Sequence, residues 1–244
     1  MSIRVISFDV DGTLVSPDFV NAVWLEGIPS AYAQENGISF ERAYEIVTSA
    51  YDEVGENRIE WYDLGYWLRR FRLKITKEEL FSRFEEKIKI YDEVGDVLRA
   101  LNPHYKLIIC SNAAKDFIFF QIKPIIKYFS HIFSATSDFR QVKKSQEFYA
   151  KVCRMLRVEP AEVIHVGDHP VFDFANPREI GINAFLLNRG VEQGERENSE
   201  EGNSNCTDEK SGRGRGGGGG ERCVIRDLRE ILNVLEEVEN DRSI

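Results

Sequence analysis

Five short apolar runs, at residues 4–8, 106–110, 131–135, 163–166 and 184–187, recur along the chain with helical patterns between them. Those patterns include residues 92–101, 115–128 and 146–156. Runs that are hydrophobic on both faces and joined by helical crossovers imply a parallel sheet covered on both sides. The expected fold class is therefore α/β, a doubly wound parallel sheet. Ligands in such sheets sit at the carboxyl ends of the strands, so residues just after each run are the first candidates for chemistry. Near the end, Cys223-Val224-Ile225 reads as a last short strand. Residues 226–239 read as an amphipathic helix with Ile231, Leu232, Leu235 and Val238 on one face.

The stretch between the first two runs, roughly residues 16–91, is far longer than the dozen or so residues one crossover needs. Helical patterns at 19–34, 40–54, 60–71 and 77–90 fill it, which predicts a small α-helical cap domain (16–91) inserted into a core made of 1–15 and 92–244. Thr76-Lys77-Glu78-Glu79 has the form of a capping box, and Ser39 is a weaker helix start. Residues 190–222 change character to Glu, Asn, Ser and then Gly and Arg. Such a segment buries too little apolar area to offset its ordering entropy, so it reads as a disordered insertion within the core.

The 244 residues are enough for a real hydrophobic interior, and no stretch approaches the roughly 18 apolar residues of a membrane span. Met1-Ser2-Ile3-Arg4 runs straight into a strand, so a cytoplasmic location is expected. A net charge of -9 argues against broad nucleic-acid binding while leaving room for a small anionic ligand. The four cysteines have no metal or redox spacing, and Cys110 at the end of a run reads as a small core residue.

The sheet edge gathers the chemistry. Asp9-Val10-Asp11-Gly12-Thr13-Leu14 follows the first run, and its immediate turn lets one carboxylate face a reacting group while the other arches above it. That arrangement suits a nucleophile with a neighbouring acid/base. An ordinary acidic turn has the same residues. After the second run stand Ser111 and Asn112, which equally fit a helix cap. Lys143 and Lys144 follow the third, and Gly167-Asp168-His169-Pro170 with Asp173 follow the fourth. Converging acids repel one another and raise each other's pKa, a conflict that Mg²⁺ resolves with carboxylate oxygens, waters and a substrate phosphate. A lysine there supplies a compact positive charge.

In this order, Asp9-Val10-Asp11-Gly12-Thr13-Leu14, Ser111-Asn112, Lys143 and Gly167-Asp168 with Asp173 resemble the four motifs of the haloacid dehalogenase-like hydrolase superfamily. The resemblance implies a magnesium-dependent phosphatase of small-molecule phosphate monoesters that forms an aspartyl-phosphate. Asp9 would be the nucleophile and Asp11 the general acid/base. Ser111, Asn112 and Lys143 would hold the phosphate. Asp9, the Asp11 backbone carbonyl and Asp168 would hold Mg²⁺, with Asp173 in a second shell or as an alternate ligand. The third motif commonly reads Lys-Pro; here it is Lys143-Lys144-Ser145, and Lys143 is preferred because Glu147-Phe148-Tyr149 then falls in the usual register. His169 could touch substrate or simply close a turn.

The cap residues Arg58, Trp61, Trp67 and Arg69-Arg70-Phe71-Arg72 read either as substrate-selecting or as an aromatic core under a solvated basic face. Other readings are a phosphomutase, a 2-haloacid dehalogenase and a non-enzymatic binding module. Asp11 separates the phosphatase from the dehalogenase, since that branch lacks the second acid and uses no magnesium.

Overall fold

The computed structural model describes residues 2–190 and 223–240, with side chains described as far as residue 236. Strand β1 (Val5–Phe8) leads through a turn into a helical insertion. There α1 (Asp18–Ala22) runs through a π turn (Val23–Gly27) into α2 (Ile28–Asn36), followed by α3 (Phe40–Val54), α4 (Leu64–Arg70) and α5 (Lys77–Arg83). The chain returns through α6 (Val94–Leu101) to β2 (Lys106–Ser111), then α7 (Lys115–Gln121), β3 (His131–Ser134), α8 (Ala135–Phe139) and α9 (Gln146–Leu156). It ends with β4 (Val163–Gly167), α10 (Asn176–Glu179), β5 (Asn183–Leu187), β6 (Val224–Ile225) and α11 (Glu230–Asn240).

The six strands form one sheet in the order β3-β2-β1-β4-β5-β6, and every pairing is parallel. This is the doubly wound α/β architecture. The order reverses at β1, so the carboxyl ends of β1, β2 and β4 border the crevice in which such sheets bind ligands. Side chains alternate across β1 with period two. Ile6 and Phe8 pack with Val97, Leu98, Ile118 and Ile231, while Val5 packs with Ile108, Phe148 and Val152 on the other face. Cys110 and Cys153 are buried, and burial pushes their thiols up to about 12 and about 11. No helix of the described residues is long and apolar enough to cross a membrane.

The helices depart from the periodic patterns where local chemistry intervenes. The expected helix at 115–128 stops at Gln121 because Pro124 has no N–H to donate and disfavours the helical backbone of Lys123; a 3-10 turn (Ile126–Tyr128) follows. The pattern at 60–71 divides into a 3-10 turn (Ile59–Tyr62) and α4 with Asp63 extended between them, and that at 77–90 ends at Arg83. Ala135 begins α8 rather than ending β3, because the Ser134 hydroxyl accepts from Ser137 N–H and caps a helix there. The last helix begins at Glu230 instead of 226, the Glu230 carboxylate taking the Arg226 and Asp227 N–H groups. Thr76 and Glu79 form the expected capping box, and Ser39 caps α3 through Arg42 N–H. The segment 191–222, the Val238 side chain and Cys206 lie outside the described residues.

The insertion leaves and rejoins the core side by side. Val15 bridges Ile90 in antiparallel fashion, Ser16 N–H donates to the Lys89 carbonyl, and Tyr91 N–H to that of Leu14. Inside it, Phe19, Val47, Tyr51, Trp67, Leu80 and Phe81 form a separate apolar cluster that also takes in Phe117 of α7. Trp67 is fully buried and its indole Nε1 donates to the Trp61 carbonyl at 3.1 Å, so both its bulk and its polar atom are satisfied. Truncation to Ala removes that packing and orphans the carbonyl. Trp67→Ala is expected to cost about 3–5 kcal/mol in a urea unfolding titration.

Candidate active site

The turn after β1 is closed on one acceptor: the N–H groups of Thr13, Leu14 and Val15 all donate to the Val10 carbonyl, at 3.2, 2.8 and 3.1 Å. Gly12 sits at φ +79°, and a Cβ there would lie 2.3 Å from Asp168 Oδ2. Only glycine permits both the turn and the close approach of Asp168. The turn separates the two acids it carries. Asp9 is buried and ion-paired with Lys144 Nζ at 2.8 Å. The carboxylate of Asp11 accepts instead from Gln121 Nε2 of α7 at 3.0 Å. Burial, with Asp9 alongside, pushes Asp11 up to about 7. Burial also raises Asp9, and the Lys144 charge opposes that rise.

The structure sets Lys144, not Lys143, beside Asp9. Lys143, preferred from the sequence register, points to the surface, where its Nζ pairs with Glu56 at 3.0 Å and lies over the Phe172 ring. Lys144 is 1% exposed and joins Asp9 to Asp173. Local geometry decides the outcome: Ser145 caps α9, and the Lys144 backbone is gripped from both sides. Its N–H donates to Asn112 Oδ1 at 2.7 Å and its carbonyl accepts from Asn176 Nδ2 at 2.7 Å. Its ammonium donates to the Cys110 carbonyl and to Asp173. Burial would discharge it, but Asp173 and Asp9 hold it charged, above the ordinary lysine pKa.

Asp9, Asp168 and Asp173 bring carboxylate oxygens within 4.8 Å of one another; the Asp11 side chain is not in this group. Burial, then the charges of Asp9 and Asp173, push Asp168 up to about 7. Asp173 goes the other way. Burial favours its protonation, but Lys144 and His165 outweigh this and hold it well below the usual carboxylate range. Its Oδ1 takes Lys144 and His165 Nε2, its Oδ2 the His169 N–H at 3.2 Å, and a Cβ on Gly167 would lie 2.3 Å from its Cγ. A hard-oxygen set with one lysine among three acids fits a small divalent cation, and the approach that Gly12 allows places Asp168 to share it.

Ser111 ends β2 buried, its Oγ accepting from Ala113 N–H at 3.2 Å. His169 is a turn residue whose Nδ1 accepts from Val171 and Phe172 N–H. Among the cap candidates Trp67 is core, Arg58 pairs with Glu60, Arg69 with Asp63 and Arg70 with Glu53 at the surface. Trp61 alone of these reaches the site, lining a 370 Å³ cavity whose wall includes Asp11, Asn112, Trp24 and Phe117. Residues not foreseen also take part. His165 of β4 is buried, neutral and wedged between Ser7 Oγ at 2.9 Å and Asp173, with the Tyr149 hydroxyl 3.0 Å away. A histidine inside an apolar run was the visible signal. Gln121 was legible as a polar residue on the apolar stripe of Phe117, Ile118 and Ile122. Arg189 donates to the Thr13 carbonyl at 2.7 Å and pairs with buried Glu93 at 2.6 Å, buttressing the turn.

With this sheet and this edge, the chain belongs to the haloacid dehalogenase-like hydrolases: the family model matches residues 3–176. The relatives within that class are of several kinds. A GMP/IMP nucleotidase of Escherichia coli (strain K12) is 33% identical over 67 residues, 28% of this chain and 30% of the relative, so the match spans under a third of its length. Among solved structures, a HAD phosphatase from Thermococcus onnurineus matches with a TM-score of 0.73 at 23% identity, covering 96% of this chain and 98% of that one. A 2-haloacid dehalogenase from Pseudomonas syringae pv. Tomato matches at 0.61 and 21%, covering 96% and 99%. At such identities these likenesses establish the fold.

The two lysines should separate in stability. Lys144→Met strands two buried carboxylates and is expected to cost about 3–5 kcal/mol. Lys143→Met breaks an exposed pair and should change stability by about 0.5 kcal/mol or less, both read by chemical denaturation.

Proposed function

We propose that the chain is a divalent-cation-dependent phosphatase of small phosphate monoesters that works through an aspartyl-phosphate on Asp9. The observation that carries this reading is the separation of the two acids of one turn, Asp9 on the lysine and Asp11 on Gln121 at the cavity wall. Two carboxylates in unlike settings suit two roles, a charged nucleophile and a proton carrier.

An Asp9 carboxylate oxygen attacks phosphorus as the bond to the leaving alcohol breaks, and Asp11 gives that oxygen its proton. The Asp11 carboxylate then takes a proton from water, whose oxygen attacks the same phosphorus and frees Asp9. Lys144, in place of the expected Lys143, opposes protonation of Asp9 and offers positive charge to the transferring group. The Ser111 hydroxyl and the Asn112 amide stand at the adjoining strand end to bind phosphate oxygens. Asp9, Asp168 and the Asp11 carbonyl would hold Mg²⁺, which neutralises the charge gathered among the acids and the phosphoryl group. Asp173, its oxygens engaged by Lys144, His165 and His169 N–H, orients the lysine. The helical insertion serves as the cap over this site.

Dehalogenation has no alcohol to protonate and gives Asp11 and Gln121 no task. p-Nitrophenyl phosphate turnover should fall to background in EDTA and return with Mg²⁺, and Asp9→Asn should abolish it. Halide release from 2-chloropropionate that survives EDTA would overturn the reading. Asp11→Asn should release a burst of about one equivalent of p-nitrophenolate and then stall, because that leaving group needs no proton while hydrolysis of the intermediate still needs a base. Alkyl phosphates should show no burst in this variant.

A further inference from the structure

The 370 Å³ cavity beside Asp11 has a composition that the phosphoryl chemistry does not explain. Trp24 and Trp61 stack with centroids 6.4 Å apart and planes 24° from parallel, and Trp24 and Phe117 at 5.5 Å and 21°. Tyr51 meets Trp24 edge-on and fixes it further by donating its hydroxyl to the Trp24 carbonyl at 3.1 Å. The rings therefore form a braced column rather than loose side chains. Asp11 is the one charged side chain in the cavity wall among the described residues. The neighbouring arginines Arg58, Arg69 and Arg70 are spent on surface carboxylates and do not enter it. Asn112, whose Oδ1 is taken by Lys144 N–H, has only its NH₂ group to offer.

We propose that this cavity takes the alcohol half of the phosphate ester and selects a flat, uncharged aromatic group on it. The assignment rests on the phosphatase reading for its orientation, since the group that Asp11 protonates is the one that occupies the space next to Asp11. A second carboxylate or phosphate on the substrate would have to leave water for a mainly apolar wall in which Asn21, Asn112 and Tyr62 are neutral and no cation stands beside the acid, which is strongly disfavoured. A saturated apolar group would fill the space without matching the stacked rings. An aromatic ring can add to the column in offset or edge-on geometry, and bases and other arenes share the π face that such platforms recognise.

The test is a panel of esters with the Mg²⁺-loaded full chain, all with alkyl leaving oxygens so that intrinsic reactivity is matched: benzyl, cyclohexylmethyl and ethyl phosphate, 2-phosphoglycolate, and the 5′-monophosphates of adenosine and uridine. The expected result is a kcat/KM for benzyl phosphate or a nucleoside monophosphate about tenfold or more above cyclohexylmethyl and ethyl phosphate, with phosphoglycolate poorest. Benzyl ahead of the nucleotides means a ring bound next to the reacting oxygen, and nucleotides ahead of benzyl means a base reached across the sugar; both support the cavity assignment. In Trp61→Leu the ratio of aromatic to ethyl kcat/KM should fall about tenfold, chiefly through KM. Equal rates for benzyl and cyclohexylmethyl phosphate, or phosphoglycolate as the best ester, would overturn it. If no ester is turned over, the phosphatase reading fails separately. Quenching of tryptophan fluorescence by benzyl phosphate then decides: saturable quenching that weakens in Trp61→Leu sustains the cavity assignment, and its absence refutes it.

Discussion

One ammonium group organises the carboxyl edge of the sheet. Lys144 Nζ is held away from water between Asp9 of the β1 turn and Asp173 after β4, and it also reaches the Cys110 carbonyl of β2. It thus ties together the three strands that flank the reversal in strand order. A buried ion pair is costly to desolvate, and its attraction compensates only when the remaining hydrogen-bonding capacity is also satisfied. Here it is satisfied in depth: Asp173 has His165 and His169 N–H as further donors, and His165 is itself tied to Ser7. The structure spends stability on a charge arrangement that a purely structural core would replace with apolar packing.

That arrangement dictates unusual sequence demands on its neighbours. Glycine at 12 lets Asp168 approach, and glycine at 167 lets Asp173 fold back beside β4. Asn112 and Asn176 hold the lysine backbone rather than its charge, fixing where its side chain begins. The acids then diverge because each meets a different neighbour. Asp173 meets one cation and further donors and stays ionised; Asp168 and Asp11 meet mainly burial and other carboxylates, and retain protons toward neutrality.

Much of this was legible in the residues because two periodicities and one motif order are simple signals. All six strands appear where apolar runs stand, and Asp9, Asp11, Ser111 and Asp168 lie at their carboxyl ends. The preference for Lys143 differs from the placement of Lys144 beside Asp9 because register relative to α9 is a weak guide where two lysines are adjacent. Which one turns inward depends on Asn112 and Asn176, which are 32 residues away in either direction. The long helices of the insertion were overdrawn because amphipathic spacing persists through 3-10 turns and across Asp63, where the backbone leaves the helix. Gln121 and His165 were read as parts of apolar elements; only tertiary placement shows that one serves Asp11 and the other Asp173.

Helix α7 connects these two halves of the molecule. Its Phe117 belongs to the apolar cluster of the insertion and lies against Phe19, Phe81 and Trp24, while Ile118 and Ile122 belong to the core under the sheet. On the same short helix Gln121 donates to Asp11. The insertion is therefore packed onto the very element that positions the second acid, and its two connecting segments pair with each other directly after the turn that carries both acids. The insertion also meets the core through Lys77 and Asp116, through Phe19 stacked on Phe120, and through Glu56 and Lys143, so α7 carries several of its contacts. The contacts that seat the insertion and the hydrogen bond that Asp11 accepts thus share one short helix, which joins the wall of the aromatic cavity to the turn of the two acids.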